Sequence, residues 1–272
     1  MSLEGRVAVV TGASRGIGFG IAEHLAGLGM PVVLNDLSPD VRDAAARLER
    51  AGGRALAVVG DVTAKADVEA MLERAERELG PVWLLVNNAG VIPTGPTADM
   101  PENDWDLAMA VDVKGVFLCS QAAIRRMIPR RQGRIVNISS IAGLIVRTGQ
   151  IGYCSAKAAV NHFTRCLAIE MAPYGITVNA IMPGMTKTDM LVDSFEARGL
   201  NLDDMLGLIP SGRFAMPADH AALVGWFASD QAEQVTGQLV SVDGGQSQLM
   251  PLQVAPATPG ARAATPTGAD HP

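Results

Sequence analysis

With 272 residues, 48% of them hydrophobic and 18% charged, the chain can bury a sizeable core and is too apolar to be disordered. A net charge of −6 argues against a nucleic-acid partner, which asks for a basic face. No apolar run approaches the ~20 residues of a membrane span, and Met-Ser-Leu-Glu-Gly-Arg at the start lacks a basic leader, so no membrane contact and a cytoplasmic location are expected.

Residues 6–10 read as a buried strand. Thr11-Gly-Ala-Ser-Arg-Gly-Ile-Gly18 follows and opens a helix over 19–28. Strand, glycine-rich turn and helix put backbone N–H groups and a positive helix end against a pyrophosphate, with Gly12, Ser14, Arg15, Gly16, Ile17 and Gly18 as the cradle. The glycines do not have the G-x-G-x-x-G spacing, and tight turns need glycine anyway. A second strand over 31–35 ends at Asp36. An acid there accepts hydrogen bonds from the adenosine ribose and repels a 2′-phosphate, which favours NAD over NADP. Arg15 is the counter-signal, because it can meet a 2′-phosphate.

A helix over 39–51 leads through Gly52-Gly53 to a third strand, 54–59. Asp61 and Val62 then stand where an adenine would lie, and Asp61 or Thr63 can cap the next helix. That helix, 65–79, stops at Gly80-Pro81. A strand over 83–86 runs into Asn87-Asn88-Ala89-Gly90. Strands alternating with helices mean a parallel sheet with right-handed crossovers. Residues 101–130 read as two helices, the second carrying Asp112. Its end bears a basic cluster, Arg125, Arg126, Arg130, Arg131 and Arg134, read as a solvated helix end in preference to a binding patch.

A strand over 134–138 ends in Ser139 and Ser140, a loop carries Gly143 and Gly149, and a helix over 151–172 presents Tyr153 and Lys157. Four residues are about one turn, so phenol and ammonium share a face. A free phenol titrates near pH ~10, and a nearby cation favours phenolate. Ser140 can donate to a carbonyl oxygen as charge builds there. The bland alternative is a buried tyrosine beside a snorkelling lysine. The helix holds few charges, Lys157, Arg165 and Glu170, so it needs burial against the sheet and, on its other side, a second subunit.

Pro173 and Gly175 stop that helix. A strand over 176–181 ends at Pro183-Gly184, and Met185-Thr-Lys-Thr-Asp-Met190 follows. Residues 189–209, rich in Leu and Met, read as helical lid segments or as a helical pair on the core. A helix over 217–229 and a strand over 238–242 complete seven strands. One domain over 1–250 is expected, then a Pro/Ala/Thr-rich tail, 251–272, disordered or loosely attached. Cys119, Cys154 and Cys166, an odd count without paired spacing, suggest reduced thiols. The four histidines are scattered and show no metal-ligand spacing.

Taken together, Thr11-Gly12-x3-Gly16-x-Gly18, Asn87-Asn88-Ala89-Gly90, Ser140, Tyr153-x3-Lys157, Pro183-Gly184 and Thr188 resemble the short-chain dehydrogenase/reductase family over roughly 3–248. The family's spacing selects Ser140 over Ser139. The resemblance implies an α/β fold, a single doubly wound Rossmann-type domain with a seven-stranded parallel sheet and helices on both faces. It implies that Tyr153 exchanges a proton with the substrate, Lys157 holds the nicotinamide ribose and Ser140 orients the substrate oxygen. Asn88, Ala89 and Gly90 would line the cofactor groove. Pro183, Gly184, the Thr186 backbone and Thr188 would hold the carboxamide.

Two positions depart from the family pattern. Thr186 stands where a branched apolar residue is usual, and Asp112 where an asparagine serves a proton relay to the lysine. A carboxylate accepts the same hydrogen bonds but cannot donate while ionised, and its charge disfavours phenolate at Tyr153. The expected activity is an NAD-dependent secondary-alcohol dehydrogenase or ketone reductase, working as a dimer or tetramer. Ile141, Leu144, Ile145, Val146, Met185, Met190, Leu191 and Phe195 would wall a mostly apolar pocket, with Arg147 and Gln150 available to a polar substituent. The alternatives are a 3-oxoacyl thioester reductase served by an acidic carrier protein, and a weakly active nucleotide-binding regulatory protein.

Overall fold

Runs of buried β-branched and aliphatic residues make the strands. They are β1 (Val7–Thr11), β2 (Val32–Asp36), β3 (Ala55–Val59), β4 (Val82–Asn87), β5 (Gly133–Ile138), β6 (Ile176–Pro183) and β7 (Leu239–Val242). All pair in parallel, in the order β3-β2-β1-β4-β5-β6-β7. The expected doubly wound, seven-stranded architecture is therefore present in this computed structural model, which describes residues 3–189, 191–192, 201 and 203–248. β1, β5 and β6 are buried at every position, because helices cover both faces.

Side chains alternate between the faces of a strand, and the two cores follow that period. Ala8 and Val10 pack with Ile21 and Leu25 of α1 (Gly16–Gly27), Leu48 of α2 (Val41–Arg50) and Phe227 of the last helix. Val7 and Val9 pack with Met71 of α3 (Lys65–Glu78) and with Cys119 and Leu167 on the other face. The sheet reverses its order between β1 and β4, and in such sheets ligands lie beyond the carboxyl ends of the strands at that switch point. Gly12–Gly18, Asp36, Asn88–Gly90, Ser140 and Pro183 all stand at those ends.

Residues 101–130 do not form two helices. α4 (Glu102–Ala108) passes into a π-helical segment, Met109–Gly115, and continues as α5 (Val116–Met127) without a break. Nothing in the apolar periodicity signals the wider turn, which carries Asp112. By length and composition Glu102–Arg130 is apolar enough to span a bilayer, contrary to expectation. In this fold it is a core helix on β4 and β5.

The basic cluster is not a solvated helix end. Arg126 pairs with Glu69 and Arg130 with Glu76 of α3, at 2.9 and 2.8 Å, and Arg125 approaches Glu69 at 3.5 Å. Arg134 lies apart on β5, buried, its guanidinium 4.7 Å from the Trp83 ring centroid, with Arg6 at 4.1 Å. Neither Asp61 nor Thr63 is the N-cap of α3; Ala64 is. Asp61 Oδ1 accepts from the Thr63 N–H at 2.8 Å, and Asp67 reaches back to the Asp61 N–H at 3.0 Å.

α6 (Ile151–Met171) and α7 (Pro217–Ala228) complete the cover. α6 leaves Ile169 74% exposed, and α5 leaves Phe117 exposed. Of the expected lid, Asp203–Leu208 forms a short 3-10 turn. Met190, Phe195 and the tail 251–272 lie outside the described residues.

Candidate active site

Lys157 is the centre of the site. Its side chain is 5% exposed, and Nζ meets Asp112 Oδ1 at 2.8 Å and donates to the Ile138 carbonyl at 3.1 Å. The Tyr153 ring, one turn earlier on α6, has its centroid 5.5 Å from that Nζ. Burial works against the charge on Lys157 and is the largest single influence. The Asp112 carboxylate and Tyr153 together outweigh it, so the ammonium is held above its ordinary value. Asp112 is itself fully buried, and its Oδ2 accepts from the Val91 N–H at 3.0 Å. The π-helical turn supports this arrangement at a position where such bulges recur at functional sites.

Gly90 is required by the same pair. A Cβ there would stand 2.7 Å from Asp112 Oδ1 and 3.4 Å from Lys157 Nζ. The Asn-Asn-Ala-Gly turn is anchored from the other side. Asn88 Nδ2 donates to the Thr11 and Gly12 carbonyls, both at 2.9 Å. Thr11 Oγ1 accepts from the Asn88 and Ala89 N–H groups at 3.0 and 3.1 Å. The motif that Thr11 heads carries no sequence signal of this anchoring role.

The two serines at the end of β5 divide their work. Ser139 Oγ donates to the Lys157 carbonyl at 3.1 Å and is spent on the helix. Ser140 Oγ accepts from the Ala142 N–H at 3.0 Å, which leaves its O–H free to donate. The tight turn after it, Ile141–Gly143, rests on α6: a Cβ at Gly143 would stand 2.8 Å from the Lys157 carbonyl carbon.

The first turn of α1 has no side-chain cap. Gly12 and Gly16 have φ of +62° and +59°, and a Cβ at Gly18 would run into the Gly12 carbonyl and the Asn88 amide. Arg15 and Ile17 continue this turn into the uncapped first turn of the helix, a cradle that fits a pyrophosphate, with Ser14 beside it. At its rim, Asp36 Oδ2 accepts from the Ser14 N–H (3.1 Å) and Oγ (2.7 Å), and Oδ1 from the Ser38 N–H at 3.0 Å. Arg15 is exposed and has no partner among the described residues. Val62 is buried, its Cγ2 2.9 Å from where a Gly115 Cβ would stand, so it packs under the π-helical turn while Asp61 stays at the surface side.

Beyond Pro183 and Gly184 the chain turns under several restraints. The Met185 N–H donates to Gln246 Oε1 at 3.1 Å, and the Lys187 N–H to the Ala215 carbonyl at 2.8 Å. Thr186 Oγ1 lies 2.8 Å from His220 Nε2 and 3.1 Å from the Gly184 carbonyl. Thr188 lies over the phosphate cradle, its Cγ2 3.5 Å from a Cβ placed on Gly16. His220 and Gln246 were not singled out by the sequence; the hydroxyl at Thr186 was the only signal toward the first.

The expected pocket wall is only partly assembled. Ile141 is fully buried in the core and lines no cavity, whereas Val146, 91% exposed, stands at the rim of one with Leu144 and Ile145. A cavity of about 410 Å³ is bounded by Leu144, Ile145, Arg147, Cys154, Ser155 and Ala158. The α6 residues that line it, Ile151, Cys154, Ser155 and Ala158, do not include Tyr153 or Lys157. The Gln150 Oε1 atom is buried and has no partner among the described residues.

The chain as a whole is similar to known proteins. A family profile described as short chain dehydrogenase matches residues 6–199. An NAD-dependent glycerol dehydrogenase of Listeria innocua serovar 6a is 39% identical over 240 residues, 88% of this chain and 93% of that one. A 3-oxoacyl-[acyl-carrier-protein] reductase of Escherichia coli strain K12 is 38% identical over 248 residues, 90% of this chain and 98% of that one. A crystal structure of an actinorhodin polyketide ketoreductase with NADPH superposes with a TM-score of 0.88 at 32% identity, covering 92% of this chain and all of that one. Profile, relatives and fold agree with the ordered motifs around Lys157, and the chain belongs to the short-chain dehydrogenase/reductase family of oxidoreductases.

Proposed function

We propose that the protein moves a hydride between NAD and a secondary alcohol or ketone, with Tyr153 as the acid/base. The observation that carries this reading is the buried Lys157 ammonium, held by Asp112 and Ile138 and facing the Tyr153 ring at 5.5 Å. A nicotinamide cofactor supplies the hydride acceptor or donor. Tyr153 takes the hydroxyl proton of the alcohol, or returns it in reduction. Lys157 favours phenolate at Tyr153 and binds the ribose. The free O–H of Ser140 stabilises charge on the substrate oxygen. Asp112 fixes the Lys157 ammonium and moderates its field.

Gly12, Ser14, Arg15, Gly16, Ile17 and Gly18 would hold the pyrophosphate, with Asp61 and Val62 at the adenine. Asn88, Ala89 and Gly90 would line the groove, and Pro183, Gly184, Thr186 and Thr188 the nicotinamide end. Asp36 supports NAD over NADP, since a 2′-phosphate would meet its carboxylate, and the glycerol dehydrogenase relative is named NAD-dependent. The free Arg15 is the opposing feature. The exposed Ile169 and Phe117 support a homo-oligomer, and the free thiols Cys119, Cys154 and Cys166 support a cytoplasmic setting.

The second reading is a 3-oxoacyl thioester reductase, favoured by the 38% identity to such enzymes. The arginines that would greet an acidic carrier are paired with Glu69 and Glu76, which favours the first reading. NADH formation from NAD⁺ over a panel of secondary alcohols, with NADP⁺ in parallel, tests the proposal. Turnover only on 3-oxoacyl thioesters with NADPH would replace it.

A further inference from the structure

His220 is a buried group that the mechanism above does not use. It lies on the first turn of α7, fully buried, and its Nε2 is 2.8 Å from the Thr186 hydroxyl, itself on a residue only 6% exposed. Thr186 and His220 thus form a polar pair inside an apolar interface between α7 and the segment after β6. A buried polar pair of this kind is costly unless both members are satisfied. The Thr186 hydroxyl donates to the Gly184 carbonyl at 3.1 Å, so it accepts from the Nε2–H, and this fixes the imidazole tautomer. Burial, the largest influence, pushes the imidazole down to about 4 against a smaller opposing effect of Asp219, so it is a neutral donor at assay pH and not a switch.

The consequence is geometric. The Thr186 hydroxyl is held between Gly184 and His220, while the Met185 N–H is held by Gln246 and the Lys187 N–H by Ala215. Between these two anchored neighbours the Thr186 N–H has no acceptor among the described residues. It is an oriented donor on a turn braced on both sides. We propose that His220, through the Thr186 hydroxyl, is a positioning residue that fixes the Pro183–Thr188 turn and so sets how firmly the nicotinamide end of the cofactor is held. This rests on the reading above that the turn receives the carboxamide.

The test compares NAD⁺ with ADP-ribose, which carries everything but the nicotinamide, by calorimetric titration of the whole protein. His220→Ile and Thr186→Val each weaken NAD⁺ about 5-fold, the scale of one buried hydrogen bond. ADP-ribose binding is unchanged in both. The double variant is no weaker than Thr186→Val alone, because the two residues act through one contact. Thr186→Ser, which keeps the hydroxyl, recovers most of the loss. Equal weakening of both ligands marks general loosening of the fold and overturns the proposal, as does NAD⁺ binding unchanged in both single variants, or single effects that simply add. Wild-type protein that binds ADP-ribose as tightly as NAD⁺ overturns the reading of the turn itself, and the proposal with it.

Discussion

Lys157 and Asp112 form an ion pair of 2.8 Å between side chains that are 5% and 0% exposed. Such a pair is costly to break from one side, because the remaining charge stays buried and uncompensated. It also places a negative charge where the field of the lysine is needed by Tyr153. In the proposed mechanism the carboxylate therefore supports the fold and opposes the chemistry at once.

Asp112→Asn separates those effects. Stability falls by about 3 kcal/mol in denaturant titration. The unopposed ammonium favours phenolate, so the acid limb of the pH–rate profile for alcohol oxidation, where Tyr153 loses its proton, moves to lower pH and turnover at neutral pH rises. In the native protein the Lys157 ammonium is held above its ordinary 10.5, so its contribution to stability is full below that pH and is lost as pH rises beyond it. An unchanged profile and turnover in the variant would show that Asp112 does not act on the reaction.

Gly90→Ala puts a methyl group 2.7 Å from Asp112 Oδ1. The neighbour is a buried ion pair that cannot step aside into solvent. A loss of about 2 kcal/mol follows from the overpacking, with a larger fractional loss of turnover because the Lys157 ammonium is displaced. Full activity in this variant would mean that the pair is not held where the structure has it.

Asp36→Ser removes the carboxylate that gathers Ser14 and Ser38, and removes its repulsion of a 2′-phosphate. The ratio of kcat/KM for NAD⁺ to that for NADP⁺ falls by about 10-fold or more, with Arg15 free to meet the added phosphate. A ratio that stays put assigns cofactor choice elsewhere.

His220 makes stability depend on acid. Its imidazole is pushed from 6.5 down to about 4 by burial, so between those values the unfolded chain binds the proton more readily than the folded one. Stability is full above about 6.5 and falls by about 3 kcal/mol as pH drops to about 4. Chemical denaturation across that range checks it, and His220→Ile flattens this component of the dependence.

The succession of seven strands along the chain was legible, and the candidate residues could be named, because both rest on features local in sequence. Glycine spacings, strand-end Asp36 and the one-turn step from Tyr153 to Lys157 need no knowledge of distant partners. What failed was long-range. The basic cluster looked solvated because Glu69 and Glu76 sit some 50 residues earlier. The π-helical turn at Asp112 keeps the helical apolar pattern on both sides, so a break was expected in place of a bulge. Ile141 was expected on a pocket wall, and its turn is folded into the core. His220 looked like one of four scattered histidines because its partner, Thr186, lies 34 residues earlier in the chain.

The most direct test of the account is Tyr153→Phe, which keeps the ring over Lys157 and removes only the hydroxyl. In this variant NADH still binds, while alcohol oxidation with NAD⁺ falls at least ~100-fold, the scale of a lost acid/base group. Wild-type turnover in this variant would contradict Tyr153 as the proton carrier and, with it, the mechanism proposed for this site.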